Sequence, residues 1–269
     1  MEPEAPNETR RIFLVLAMLN VFWAPVNFVV RVATDDGMSP AAVAFIRWGL
    51  LAILLFGLLA TPWYRRTTRS VWPARRDSLQ AFVLGVLFLG PAHLLYYLGI
   101  QGTSTVEGTV FNTTAPLWTA LLAFVLLRER PTPKRLLAIG LGLTGAWIVG
   151  IGFRLPELDA GHTRGNLIYL TAVVLETIVA VLGARLVRRA SGMTVLAYQV
   201  VGAATLQGFA PILFPQWFPM RFEEAGPAAW IGIAYLVLIP SLVCWGTWYR
   251  MVERVPLSLM VVTLLLQPP

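Results

Sequence analysis

Apolar residues dominate this chain in runs of about the length that a membrane helix needs, separated by short polar connections. The runs fall near 11–34, 40–61, 78–100, 104–127, 134–153, 165–187, 193–214 and 226–249, and a ninth opens near 255. A helix takes about 20 apolar residues to cross ~30 Å of hydrocarbon. Lipid offers the backbone no hydrogen-bond partners, so runs of this kind form helices. The pattern predicts an all-α, polytopic membrane protein. The stretch Ser104–Gly152 shows the unit most plainly. Two runs flank a basic turn, Arg128-Glu129-Arg130-Pro131-Thr132-Pro133-Lys134-Arg135, and the first run carries Pro116 near its middle. No connection is long enough to hold a soluble domain, so one compact helical membrane domain is expected.

The polar positions set the orientation. Sixteen of the 21 basic residues sit on the N-terminal side: Arg10, Arg11, Arg65, Arg66, Arg69, Arg75, Arg76, Arg128, Arg130, Lys134, Arg135, Arg185, Arg188, Arg189, Arg250 and Arg254. The other side holds Arg31, Arg154, Arg164 and Arg221, and Arg47 lies within the second run. Basic loops stay in the cytoplasm, which predicts a cytoplasmic N-terminus in the cell (plasma) membrane. Charged residues make up 13% of the chain, against roughly 25% in soluble domains. The net charge of +7 does not point to nucleic acid, because the charges are spread over short loops and form no basic face. The single cysteine, Cys244, excludes an internal disulfide. The first run is longer than a signal-peptide core and follows the acidic tail MEPEAPNET, so no signal peptide is expected.

A shift of 152 residues lays Tyr97 on Tyr249 and Ala115-Pro116 on Gln267-Pro268. Nearer the front, Gly37-Met38-Ser39 falls on Gly192-Met193-Thr194 at a shift of 155, with Arg31 and Arg185 just upstream. Each copy would hold five crossings. Five is odd, so the second copy enters from the opposite face, as in many secondary transporters. The expected division is a first repeat over 1–153 and a second over 164–269. The second stops within its fourth helix, so the rest of helix nine and all of helix ten are expected to be missing.

Four stretches carry a likeness to a known family. They are Phe22-Trp23-Ala24-Pro25-Val26-Asn27-Phe28 followed by Ser39-Pro40; Phe45-Ile46-Arg47-Trp48; Thr114-Ala115-Pro116-Leu117-Trp118 running to Leu127-Arg128-Glu129-Arg130; and the glycine-rich fifth run. In this order and spacing the chain resembles the EamA-type family of the drug/metabolite transporter superfamily. The resemblance implies ten helices in two inverted repeats of five, and export or exchange of small metabolites, with amino-acid-like compounds or drugs the best fit.

Candidate chemistry is sparse. Gly140-Leu-Gly142-Leu-Thr-Gly145 matches GxGxxG, but no strand precedes it, so it does not read as a dinucleotide site. Gly142, Gly145 and Gly150 instead suit close helix packing. No ATP-binding GxxxxGK[ST] motif occurs, no His/Cys/Asp/Glu group has metal-ligand spacing, and no serine–histidine–carboxylate set presents itself. No cofactor or metal and no enzymatic role are expected. Asn20, Trp23, Asn27 and Arg31 follow at helical spacing and share a face that must meet protein or water. Glu176 lies eleven residues into its run, near the bilayer midplane, where an ionised carboxylate is costly and usually functional. It is the candidate for proton coupling or for holding a substrate ammonium. Arg47 and Glu107 both lie near the outer face and are expected to pair, either as packing or as a substrate-carboxylate clamp. His93, Tyr96, Tyr97, Tyr198, Gln199, Trp245, Trp248 and Tyr249 read either as interfacial aromatics or as cavity lining.

The expected function is a secondary transporter of small metabolites working by alternating access, with Trp23, Asn27, His93, Tyr96, Glu176 and Trp245 around the substrate. Two other readings stand beside it. One is a non-transporting or truncated structural membrane protein; the other is a membrane-embedded lipid enzyme, for which clustered acid, base or metal groups are missing. The expected partners are a small-molecule substrate and the lipid bilayer, with a homodimer left open. A fluorescent reporter that matures only in the cytoplasm, fused ahead of residue 10, is expected to be bright, and the same reporter inserted at 223 dark. The reverse result overturns the orientation.

Overall fold

The computed structural model describes residues 6–67, 74–127, 132–151 and 160–266. The turn at 128–131, the loop arginine at 154 and the repeat match at 267–268 lie outside them. The described residues form helices and no strands. In order these are α1 Pro6–Trp23, α2 Val26–Asp35, α3 Pro40–Ala60, α4 Pro62–Thr67, α5 Arg75–Leu84, α6 Gly90–Gln101, α7 Thr105–Asn112 and α8 Ala115–Leu127. They continue with α9 Pro133–Ile151, α10 Ala160–Val187, α11 Gly192–Leu213, α12 Pro227–Leu236, α13 Gly246–Val252 and α14 Leu257–Met260. A π-helical segment, Gly85–Leu89, joins α5 to α6, and a second, Val237–Trp245, joins α12 to α13. A 3-10 segment, Val261–Leu266, follows α14.

Six helical spans among the described residues are long and apolar enough to cross a membrane: Arg10–Asp35, Pro40–Ala60, Arg75–Gln101, Thr163–Val187, Gly192–Leu213 and Pro227–Val252. Shorter apolar helices cover Val110–Leu126 and Leu136–Gly145. The fourth run is shorter than expected because it breaks. Pro116 has no N–H to give the Asn112 carbonyl, and α7 ends there in a turn at Thr113-Thr114. Both threonine hydroxyls donate back to carbonyls of the preceding turn, Thr113 to Val110 at 2.6 Å and Thr114 to Phe111 at 2.6 Å. Pro25 breaks the first run in the same way between α1 and α2. Pro91 and Pro240 cause no break. The π segments next to and around them take up the lost bond, and the Ser241 hydroxyl donates to the Leu236 carbonyl at 2.7 Å.

Contacts between spans fix their directions. Arg31, near the end of α2, donates to the carbonyls of Ile100 (2.5 Å) and Thr103 (2.6 Å), where α6 ends. The first and third spans therefore run the same way. The backbone of Gly165 at the start of α10 lies against Gly102. Arg189, just past its end, reaches Asp77 at the start of α5 (3.6 Å). So α10 runs against the third span, and hence against the first. α11 runs against α3, since Phe45 meets Gly208 while Phe56 lies 5.5 Å from Tyr198.

Several features recur at one spacing. Ser39 caps α3 by accepting from the Ala42 N–H, and Ser191 caps α11 by accepting from the Thr194 N–H. Arg47 on α3 donates to the Tyr97 hydroxyl, and the Tyr249 hydroxyl donates to Gln199 on α11. Each feature is displaced by 152 residues from its counterpart. This is the same shift that relates Tyr97 to Tyr249.

Glycine allows α5 and α11 to cross closely. A Cβ on Gly85 would collide with the Gln199 carbonyl, and one on Gly202 with the Phe82 carbonyl. The fifth run uses its glycines less than expected. Gly142 packs on Leu265, but Gly145 faces open space, because α9 stands at the edge of the bundle. Gly202→Val is expected to lower the denaturation midpoint in detergent markedly, with overpacking alone worth about 1–3 kcal/mol. Gly49→Ala, which meets nothing within 4 Å, is expected to leave the midpoint nearly unchanged.

Candidate substrate cavity

A cavity of about 120 Å³ lies where the spans converge. Both helix breaks border it. Trp23 and Val26 stand on either side of the first break, and Asn112 and Ala115 on either side of the second. Interrupted helices of this kind expose backbone that only a cavity or another polar group can satisfy. The Trp23 indole meets part of that demand by donating to the Pro240 carbonyl at 3.1 Å, across to the π segment of the last long span.

Aromatic rings make up one wall. Trp23 stands 6.5 Å from Trp245 and 5.6 Å from Trp248, both edge-on. Trp245 stacks on Tyr249 at 6.0 Å, and His93 lies edge-on to Trp48 at 4.4 Å. His93 Nδ1 is 3.2 Å from the Leu89 carbonyl. A carbonyl only accepts, so the neutral ring carries its proton on Nδ1, leaving Nε2 as an acceptor.

The opposite wall is α10. Val173, Glu176, Thr177 and Ala180 follow one another at three- and four-residue steps and so line a single face. Glu176 is half-buried on that face, and among the described residues its carboxyl makes no hydrogen bond and no ion pair. Arg47 is the other charge on the cavity and is 2% exposed. Its Nε donates to the Ser241 hydroxyl at 2.8 Å and its Nη1 to the Tyr97 hydroxyl at 2.5 Å, while among the described residues Nη2 has no partner. The guanidinium also lies 5.0 Å over the Trp48 ring.

Of the six residues expected around a substrate, Trp23, His93, Tyr96, Glu176 and Trp245 line the cavity. Asn27 does not. Its side-chain oxygen accepts from the hydroxyls of Tyr96 and Tyr169, which places it behind the wall, where it fixes the Tyr96 ring. On the stripe of the first span, Trp23 faces the cavity while the polar side chains bond to protein. Asn20 bonds Leu16 and Thr263, and Arg31 ties down the end of α6. The expected pair of Arg47 with Glu107 does not form. Glu107 is held at the start of α7 by the Ser104 N–H (3.2 Å), the Ser104 hydroxyl (3.1 Å) and the Thr103 hydroxyl (3.3 Å), a capping arrangement that uses its carboxylate locally. Sequence reasoning missed Thr119 and Thr177, whose neighbours on the helix give no polar pattern; only Asn112, seven residues before Thr119 across Pro116, hints at a shared face.

Residues 11–151, over half of the chain, match the EamA-like transporter family. The chain belongs to that family. It is similar over 92% of its length, at 25% identity, to an uncharacterized transporter, YyaM, of Bacillus subtilis, covering 79% of that protein. It is 25% identical to a S-adenosylmethionine/S-adenosylhomocysteine transporter of Chlamydia muridarum, over 91% of this chain and 77% of the relative. It is 24% identical to a probable terminal-alkyne amino-acid exporter of Streptantibioticus cattleyicolor, over 94% of this chain and 80% of the relative. A solved crystal structure with 20% identity superposes with a TM-score of 0.68 over 95% of this chain and 83% of the other, which shows a shared fold. This EamA-like protein is a multi-pass membrane protein of a transporter family, and its cavity is the candidate transport site.

The two tyrosine bonds differ in charge. Removing the acceptor of a charged donor costs more than removing a neutral bond, about 1.5–3 against 0.5–1.5 kcal/mol. Tyr97→Phe is therefore expected to lower the denaturation midpoint in detergent more than Tyr249→Phe. Equal shifts would show that the Arg47 bond carries no extra weight.

Proposed function

We propose that this EamA-like protein is a secondary transporter that carries a small amphipathic metabolite by alternating access. Its two inverted repeats, 1–153 and 164–269, would rock about the cavity, and its N-terminus lies in the cytoplasm of a cell bounded by the plasma membrane. The observation that carries the reading is Glu176. It is a carboxyl with no hydrogen bond, on the wall of a cavity bordered by two interrupted helices. An uncompensated carboxylate in the bilayer interior is too costly to keep without a use. Its uses are to take up a proton or to hold a substrate cation, and in exchange it does both in turn. Trp23, His93, Tyr96 and Trp245 supply the apolar and cation-attracting surface, and Asn27 holds Tyr96 in place. The opposite running of α10 and the first span, and the recurrences at 152 residues, support the repeats. The named cargoes of two relatives, S-adenosylmethionine and a terminal-alkyne amino acid, both contain an amino-acid group, which supports amino-acid-like substrates here.

The test is transport in proteoliposomes across a series of external and internal pH values, with a panel of labelled amino acids and small amphipathic cations. The unmodified protein is expected to move at least one of them at a pH-dependent rate. Glu176→Gln is expected to lose the pH dependence and at least about 10-fold in rate, the scale of one lost charged contact. A variant with an unchanged pH profile removes the coupling role. Vesicles that move no substrate at any pH overturn the transporter reading.

A further inference from the structure

The second span stops at a short turn of helix that carries two arginines. Pro62 has no N–H with which to continue α3, and Thr61 turns the chain away with an extended ψ of 140°. The Thr61 hydroxyl donates to the Leu58 carbonyl at 2.7 Å and accepts from the Tyr64 N–H at 3.3 Å, which starts α4 at once. Trp63-Tyr64-Arg65-Arg66 therefore stands where the apolar span ends, at the depth of the lipid headgroups. The side chains of this turn divide. Tyr64 is 4% exposed and packs in the core with Leu59 and Val255, while Trp63 is 62% exposed. From the end of the last long span, Arg250 lays its guanidinium 5.8 Å over the Tyr64 ring. Tyr64 is thus the floor that sets Arg250 beside Arg65 and Arg66, far apart though they are in the sequence.

These three arginines are exposed and, among the described residues, form no ion pair. Two acids at the same end are already in use. Asp77 pairs with Arg189 at 3.6 Å, and the Glu253 carboxylate accepts from the Gly192 N–H at 2.6 Å. We propose that Arg65, Arg66 and Arg250 bind the phosphodiester of an anionic phospholipid, with Trp63 beside its glycerol backbone. Guanidinium groups meet phosphate oxygens in pairs of charged hydrogen bonds, and an indole at a span end sits well at headgroup level. The adjoining face of α3 has room for an acyl chain. Ile53 is 69% exposed, and a Cβ on Gly57, one turn further along that face, would meet nothing within 4 Å. A soluble phosphate would use the arginines but not this apolar face. A zwitterionic headgroup would bring a cation of its own against three others. The bound lipid would tie the end of the second span to the end of the last long one, whatever the central cavity carries.

The test follows the denaturation midpoint of the full chain in detergent as phosphatidylglycerol is added. Phosphatidylcholine with the same acyl chains and glycerol phosphate serve as comparisons. A ligand of the folded state raises the midpoint in step with its occupancy. Phosphatidylglycerol is expected to reach half of its effect at a concentration at least about 10-fold below that of phosphatidylcholine. Glycerol phosphate is expected to give no shift over the same range. Each arginine at headgroup level is worth about fivefold in affinity, so Arg250→Gln should weaken the response about fivefold and Arg65→Gln/Arg66→Gln about 25-fold. Arg75→Gln/Arg76→Gln removes the same charge from exposed arginines at the start of α5 and is expected to leave the response nearly unchanged. Equal losses in the two double variants would show a diffuse surface attraction and overturn the site. Phosphatidylcholine acting as well as phosphatidylglycerol overturns it too. Glycerol phosphate acting as well as the lipid replaces it with a soluble-phosphate site. If the variants do not fold, the three ligands on the unmodified chain decide alone.

Discussion

Hydrocarbon satisfies no hydrogen bond, and most of this structure follows from that. Each polar group within the spans must find a partner in the protein or face a cavity. Where Pro116 and Pro25 interrupt the helical ladder, the consequences are local and visible. Threonine hydroxyls turn back onto carbonyls of the preceding turn, and the Trp23 indole crosses to the Pro240 carbonyl. The breaks are where the cavity lies. Among the described residues Asn20 Oδ1, Arg31 Nε, Trp48 Nε1, Gln199 Nε2 and Gln207 Oε1 are buried without partners, and none of these residues lines the cavity.

The same constraint explains why the charged groups take such different settings. Arg31 and Glu107 lie near one end of the bundle, Arg31 Nη2 bonded to two carbonyls and one Glu107 oxygen to two hydroxyls and a backbone amide. They hold helix ends. Arg47 lies deeper and is only partly occupied, and Glu176 is not occupied at all. Among the described residues the Glu176 carboxyl is thus left with bonding capacity that a solute in the cavity could use.

The recurrence at 152 residues adds a second level. Helix caps at Ser39 and Ser191 and hydrogen bonds at Arg47–Tyr97 and Gln199–Tyr249 repeat the same local solutions. The repetition is geometric and not chemical. Arg47 on α3 is a cation where Gln199 on α11 is an amide, so similar local settings carry different chemistry.

Length and polarity of the runs by themselves determined that this chain is helical and crosses the membrane repeatedly, because hydrocarbon thickness and backbone satisfaction leave no other solution. The cost of a carboxylate at mid-run was equally enough to single out Glu176. Helical spacing likewise placed Asn20, Trp23, Asn27 and Arg31 on a face that meets protein. Only the tertiary structure decided which partner each one meets. Arg47 and Glu107 stand at similar depth along the sequence, but a capping turn takes Glu107 and a tyrosine takes Arg47. Asn27 lies in the predicted stripe, yet two tyrosine hydroxyls hold it behind the wall instead of in it. Spacing along a helix fixes which face a side chain is on. What lies opposite that face depends on how the spans cross, and a crossing such as that of Gly85 with Gln199 is set by contacts between residues more than a hundred positions apart.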